Sequence, residues 1–386
     1  LQGRTLQTFF VAPEASINSQ IDTNTYQATW TRPQTNRVLL EAAVSHHPIG
    51  WTFFPTDRAV NSLPGAIQIG PTMALRNIGG WLSGATSRWS PKEVDSYRAS
   101  VSYVTGSHNF KFGMTALRQW TGTTQESEST PPWTRTLIYG SWPILVDFFG
   151  SSMEENQAAT WGLYAQDQWT LDRLTLNLGV RWDYVNVGYP DGVRPANNWV
   201  PTEFTFPGQT VLTWKDLQPR FGLAYDLLGT GRTALKFSAN RYGKRESTDW
   251  GQRVNPAVVN RSQRRSWNDG MTGCMTTGCI VGDGIPQGDP LNPLPNGELL
   301  TPNTNPAFGT PEIVRFYDPD WAFGMGSRAS NWEYTGGIQH ELMSGVSLDV
   351  GYFHREWINF DVVDDRALAS DAFDKFQVQV PTDSRL

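Results

Sequence analysis

The chain has 386 residues and a net charge of -6, with a sequence pI of about 5.5. This acidic balance argues against a nucleic-acid partner, because such a partner needs a basic surface. Aromatic residues make up 12% of the chain, yet the mean hydropathy is -0.42. No apolar run approaches the roughly 20 residues of a membrane-spanning helix. A transmembrane β-barrel reconciles these values, because only every second residue of its strands faces lipid.

Period-two alternation of apolar and polar residues predicts β-strands along the chain. The predicted hairpins comprise residues 26–44, 97–115, 161–184, 220–240 and 332–357. The clearest strand extends from Leu174 to Tyr184, with apolar and aromatic residues on one face and polar residues or Gly on the other. Residues 133–149 are expected to add one or two strands.

The lengths of the strands and of the segments that connect them indicate that the sheet crosses a membrane. The strands contain about ten residues or more, which is the length that a tilted strand needs to cross a bilayer. Tight turns close the hairpins, whereas long polar segments (residues 45–94, 122–157, 187–217 and 244–331) join one hairpin to the next. The fold class predicted is therefore all-β: an antiparallel transmembrane β-barrel with short periplasmic turns and long extracellular loops.

Polar residues on the face opposite the apolar one are predicted to line the lumen, where they either hold a plug or are simply solvated. These residues are Arg98, Lys111, Arg181, Asp183, Arg220, Asp226 and Lys236.

Two further sites lie in the longest polar segment. Cys274 and Cys279 form either a local disulfide or a pair of free thiols, and they lack the additional ligands of a zinc site. A structural Ca²⁺ is a candidate cofactor, because Asp and Asn oxygens separated by Gly suit this ion, although the spacing does not match an EF-hand. Its candidate ligands are Asp269, Asp283, Asp289 and Asn292.

No catalytic motif is recognisable, so we expect that the protein is not an enzyme. Adjacent His46 and His47 form either part of a metal site or an exposed pair.

Several segments resemble one family of membrane proteins. Residues 161–169 (WGLYAQDQW) with 174–183 (LTLNLGVRWD), and residues 219–226 (PRFGLAYD) with 231–236, resemble hairpins of TonB-dependent receptor barrels. Residues 284–293, 331–342 and 346–355 resemble the Oar-like receptors, which join a carboxypeptidase-regulatory-like domain to a plug and a barrel. The likeness extends from about Leu1 to Leu386.

The resemblance implies energised uptake of an unidentified ligand across the outer membrane of a Gram-negative-type bacterium, with lipid and the TonB complex as partners. It also implies a barrel of about 22 strands with a plug inside. Residues 1–386 would supply a partial barrel of about ten or more strands, with residues 244–331 as a long extracellular loop. We recognise no plug, TonB box or N-terminal domain, and we expect an internal portion of a longer chain, because the start lacks signal-peptide features and the end is loop-like.

Two alternatives stay open. The first is a passive porin or a structural or adhesive surface barrel. The second is a soluble carbohydrate-binding β-protein, which would cover its apolar strand faces with a second sheet.

Overall fold

The computed structural model describes residues 2–5, 10–11, 16–55, 65–69, 73–76, 87–270, 274, 279–313, 315–365, 368 and 371. The predictions about the two chain ends, and parts of those about residues 45–94 and 244–331, lie outside these residues.

Strands dominate the described residues, and the two helices are each four residues long. The elements in chain order are β1 (Gln2–Thr5), β2 (Phe10–Val11), β3 (Ile17–Thr23), β4 (Tyr26–Pro33), β5 (Val38–Pro55), β6 (Gly65–Gln68), β7 (Met73–Arg76), β8 (Ser87–Thr105), β9 (His108–Glu126), β10 (Thr134–Tyr139), β11 (Trp142–Phe149), β12 (Met153–Leu171), β13 (Leu174–Tyr189), β14 (Gly192–Arg194), β15 (Phe204–Phe206), β16 (Gln209–Asp226), β17 (Thr233–Gly243), α1 (Asp249–Gln252), β18 (Ser262–Ser266), α2 (Pro319–Ala322), β19 (Ser330–Met343) and β20 (Val346–Ile358). No helix in the described part of the chain is long and apolar enough to span a membrane.

One large sheet, the wall sheet, contains 12 of these strands in the order β1-β3-β5-β8-β9-β12-β13-β16-β17-β19-β20, with β4 also paired to β5. All its pairings are antiparallel. The five hairpins predicted from alternation correspond to β4–β5, β8–β9, β12–β13, β16–β17 and β19–β20. Gly106 and Gly345 adopt positive φ in two of the tight turns, where a side chain would be strained. The chain is thus all-β and mostly antiparallel.

The wall strands are much longer than those of ordinary globular sheets. β8, β9 and β12 each contain 19 residues, whereas a tilted strand crosses a bilayer in about 9–11. At about 3.3 Å per residue such strands extend for roughly 60 Å. One end of the wall sheet, formed by the tight turns, is called the turn end, and the other is called the loop end.

The two faces of the wall sheet differ in chemistry because side chains alternate across a strand. Along one row, Met114 on β9 pairs with Leu163 on β12, which pairs with Trp182 on β13. Met114 and Leu163 are 41% and 54% exposed, so this apolar face is not covered by another layer there. The opposite face, called the polar face, carries the charged residues described below.

A second, six-stranded sheet has the order β18-β11-β10-β6-β7-β2. It includes two parallel pairings, β10 with β6 and β2 with β7. The predicted strands at residues 133–149 are β10 and β11, and they belong to this sheet and not to the wall. Alternation identifies a strand but does not specify its partner, so the sequence could not make this distinction.

The main hydrophobic core lies on the polar face near the loop end. Val185, Leu212 and Trp214 are fully buried there beneath the described part of residues 244–329, which we call the overlying segment. Trp214 packs edge-on against Trp321, with ring centroids 4.9 Å apart, and its Nε1 donates a hydrogen bond to the Trp321 carbonyl oxygen at 2.6 Å. The overlying segment, predicted as an extracellular loop, therefore includes β18, α1 and α2 and packs back onto the wall sheet.

Candidate functional site on the polar face

The strand registers place all seven predicted lumen-facing residues on one face of the wall sheet. Arg98 on β8 lies in the same cross-strand row as Asp183 on β13, through Thr115 and Gly162. Lys111 and Arg220 lie in a second cross-strand row nearer the turn end, which passes through Gln166 and Gly179. Arg181 lies two residues before Asp183 on β13 and therefore on the same face. Asp226 and Lys236 lie on this face as well, closer to the turn end.

The centre of the site is the carboxylate of Asp183, which is buried. Its Oδ1 accepts a hydrogen bond from Arg181 Nε at 2.6 Å. Its Oδ2 accepts hydrogen bonds from Gln218 Nε2 at 2.5 Å and from Arg328 Nη2 at 3.0 Å. Both oxygens are therefore occupied, which stabilises the charged carboxylate away from water.

Arg328 joins this centre to a second carboxylate. Asp216 on β16 lies directly opposite Asp183 in the strand register, and Arg328 Nε is 2.8 Å from Asp216 Oδ2. Arg241 is farther away, with Nη2 3.9 Å from Asp216 Oδ1. Because Arg328 comes from the overlying segment, this buried ion cluster fixes that segment to the wall sheet.

Arg328, Asp216 and Arg241 are not among the site residues predicted from the sequence. The alternation of β16 could have indicated Asp216, because it lies four residues before Arg220 on the same face. Arg328 precedes its strand, and no local pattern signals its position in the cluster.

Three of the predicted residues lie nearer the turn end and have separate partners. Lys111 Nζ is 2.7 Å from Glu41 Oε2, and Lys236 Nζ donates to Gln339 Oε1 at 2.7 Å. Asp226 accepts backbone N–H groups of its own turn. The structure therefore places these three residues on the polar face but outside the Asp183 cluster.

A cavity of about 570 Å³ opens on the polar face beside the Asp183 cluster. The wall sheet supplies Arg98, Arg181 and Arg220 to its lining, and the segment after β17 supplies Arg245. A smaller cavity of about 300 Å³ lies toward Lys111 and shares Arg181 and Arg220 with the first.

One carboxyl group near the larger cavity has a shifted pKa. Burial raises the pKa of Glu246, a residue of the overlying segment, while a hydrogen bond from Trp250 Nε1 at 2.8 Å opposes the shift. Gln119 of β9 donates to the Glu246 carbonyl oxygen at 3.0 Å. These contacts connect the start of the overlying segment to the polar face.

The other predicted sites are separate from this one. Cys274 and Cys279 form a disulfide, with Cα atoms 6.0 Å apart. His46 Nδ1 lies 2.7 Å from Asp95 Oδ1, and His47 Nδ1 lies 2.8 Å from Thr25 Oγ1.

The four Ca²⁺ candidates serve the local loop structure. Asp269 accepts the N–H groups of Gly282 and Gly284, both at 2.7 Å. Asp283, Asp289 and Asn292 each accept the N–H two residues further along the chain. In the part of the chain that the structure describes, no group of three or more His, Cys, Asp or Glu side chains is arranged to hold a metal ion.

The same loop buries a carboxyl group. Glu298 is fully buried, and its Oε2 accepts hydrogen bonds from Trp267 Nε1 and from the Gln287 backbone N–H, both at 3.0 Å. Burial raises the pKa of Glu298.

Comparison with known proteins assigns the chain to a family. The family described as "Outer membrane beta barrel domain" matches residues 2–356. The chain therefore belongs to this family, and its location is the outer membrane. A search of curated proteins found no match.

Two solved structures align with the chain at low sequence identity, and the first of them shares its fold. The outer membrane transporter YddB from Escherichia coli aligns with 92% of this chain and 36% of its own, at 11% identity and a TM-score of 0.52. The ferric yersiniabactin uptake receptor FyuA from Yersinia pestis aligns with 89% of this chain and 37% of its own, at 11% identity and a TM-score of 0.43. The chain thus spans about a third of the length of these two proteins.

Proposed function

We propose that the protein takes up a ligand across the outer membrane in an energised process, as a TonB-dependent transporter of the Oar-like kind. The observation that carries this proposal is the polar face, where a cavity of about 570 Å³ lies beside a buried ion cluster, while the opposite face of the same strands is apolar. A wall of this kind can contact lipid on one side and a polar ligand on the other. The similarity in fold to the outer membrane transporter YddB from Escherichia coli also supports the proposal of a transport function.

In this proposal the protein performs no chemical reaction. The overlying segment covers the loop end of the polar face, where it buries Trp214 and binds Asp183 and Asp216 through Arg328. A ligand arriving from the loop end would therefore meet the overlying segment before it reaches the wall. Energised passage would require TonB to act on a plug, which is the arrangement that the family resemblance implies.

The exposed apolar face weighs against the soluble carbohydrate-binding alternative, which requires a covering sheet. Phe112 on β9 is 49% exposed and Leu163 on β12 is 54% exposed. Exposed apolar surface of this extent needs lipid, detergent or a partner.

The distinction from a passive porin can be tested with the native full-length protein. Purified protein would be incubated with the immobilised periplasmic domain of TonB, and its conductance would be recorded in planar bilayers. The proposal expects retention by TonB and no steady open-channel current. A stable ohmic conductance without TonB retention would instead establish the passive porin. A periplasmic domain of unrelated sequence serves as the control for retention.

A further inference from the structure

The cavity beside Asp183 has the dimensions of a small-molecule site. Its volume of about 570 Å³ falls within the roughly 300–1,000 Å³ typical of such sites. The wall strands line one side of it, and Arg245 and Arg328 line it from residues flanking β17 and β19. The cavity is therefore formed jointly by the wall sheet and the ends of the overlying segment.

The charges around the cavity are unbalanced. Of the described residues that line it, five are arginines and only Asp183 is acidic. Asp183 already pairs with Arg181 and Arg328. Arg98, Arg220 and Arg245 have no carboxylate of a described residue within 4.0 Å. Glu41, which lies outside the lining, attracts Arg98 electrostatically but forms its salt bridge with Lys111. The three guanidinium groups thus form no salt bridge with a described residue and can bind a ligand.

The surroundings orient these groups for recognition. The Arg220 guanidinium lies over the ring of Tyr242, with its Cζ 5.0 Å from the ring centroid. Hydroxyl groups of Thr29 and Thr115 also line the cavity and supply additional polar contacts. A planar guanidinium can donate two parallel hydrogen bonds to one carboxylate or phosphate group.

We propose that this cavity binds a small organic anion that carries at least two carboxylate or phosphate groups. The cavity could bind such an anion however transport is energised. That the anion is the transported ligand rests on the proposed function. A compact ligand is favoured over an acidic polypeptide segment, because the ends of the overlying segment already close part of the cavity.

Isothermal titration calorimetry on the detergent-solubilised full-length protein tests the proposal with three probes. They are benzene-1,3,5-tricarboxylate, inorganic pyrophosphate and the neutral benzene-1,3,5-tricarboxamide. The proposal expects saturable binding of at least one anion and none of the triamide, and the preferred anion separates carboxylate from phosphate recognition. Each of the substitutions Arg98→Gln, Arg220→Gln and Arg245→Gln should weaken that binding by about tenfold or more, the effect of losing a charged contact.

Arg232→Gln is the matched control, because it removes the same charge from an exposed turn residue outside the cavity. It should leave anion affinity unchanged. The proposal is overturned if neither anion binds, if the triamide binds equally well, or if Arg232→Gln weakens binding as much as the cavity variants. If neither anion binds and the three cavity variants also lower the thermal stability of the protein, an acidic segment of the protein occupies the cavity in place of a small anion. TonB retention is measured separately, so either proposal can fail alone.

Discussion

Substitution of Arg328 by Met should release the overlying segment from the wall sheet. Arg328 is buried and lies 3.0 Å from Asp183 and 2.8 Å from Asp216. With an effective dielectric constant of about 20, each contact corresponds to a gross attraction of about 5–6 kcal/mol, most of which offsets the cost of desolvating the charges. Removing one partner of a buried pair costs about 3–5 kcal/mol, because the other charge stays buried and uncompensated. Asp216 is the more affected carboxylate, since its remaining partner, Arg241, is 3.9 Å away.

Hydrogen exchange measured by mass spectrometry on peptides from residues 244–262 and 315–330 would detect this release. A loss of about 3–5 kcal/mol corresponds to protection lower by about 100-fold to 1,000-fold or more. Arg245→Met, which removes an exposed arginine without a carboxylate partner among the described residues, is the control. Adding Asp216→Asn to Arg328→Met should restore part of the protection by removing the uncompensated charge. Equal protection in Arg328→Met and Arg245→Met would refute the reasoning.

Two further predictions concern packing and pH. Gly162→Ala should lower the thermal unfolding temperature, because the new Cβ would overlap the Arg181 guanidinium and lie 2.7 Å from Asp183 Oδ1. Arg181 could move aside only by giving up its hydrogen bond to Asp183, and overpacking costs about 1–3 kcal/mol. Gly336→Ala, whose Cβ would meet no atom within 4 Å, should change it far less, and similar losses in both variants would rule out this cause. Burial raises the pKa of Glu298, so the loop around it should be most stable below the ordinary carboxyl pKa and lose stability as pH rises through the raised value. Glu298→Gln should remove this dependence from hydrogen exchange of residues 279–300, corrected for intrinsic rates, and an unchanged pH profile would contradict it.

The wall sheet was largely predictable because its signal is local. Side chains alternate with a period of two, so assigning Leu176 and Leu178 to the apolar face assigns Arg181 and Asp183 to the other. The seven predicted polar residues consequently fall on one face without knowledge of strand order.

The functional site was only partly predictable because its assembly is not local. Arg328 meets Asp183 across 145 residues of sequence, and no periodicity relates the two. Likewise, the overlying segment is rich in polar residues, Gly and Pro, which indicates a loop, but its Trp250 and Trp321 pack against Trp214 on the wall sheet. Tertiary packing determines these contacts.

One face of the wall strands is expected to contact lipid while the other contacts water or polypeptide. Single cysteines placed along residues 174–184 would be spin-labelled in the full-length protein in bilayers, with the Cys274–Cys279 disulfide intact. Accessibility to oxygen, which partitions into lipid, should then peak at Leu176, Leu178 and Val180 and fall at the residues between them. Equal accessibility at successive positions, or higher accessibility to a water-soluble nickel chelate at all three apolar positions, would contradict the account.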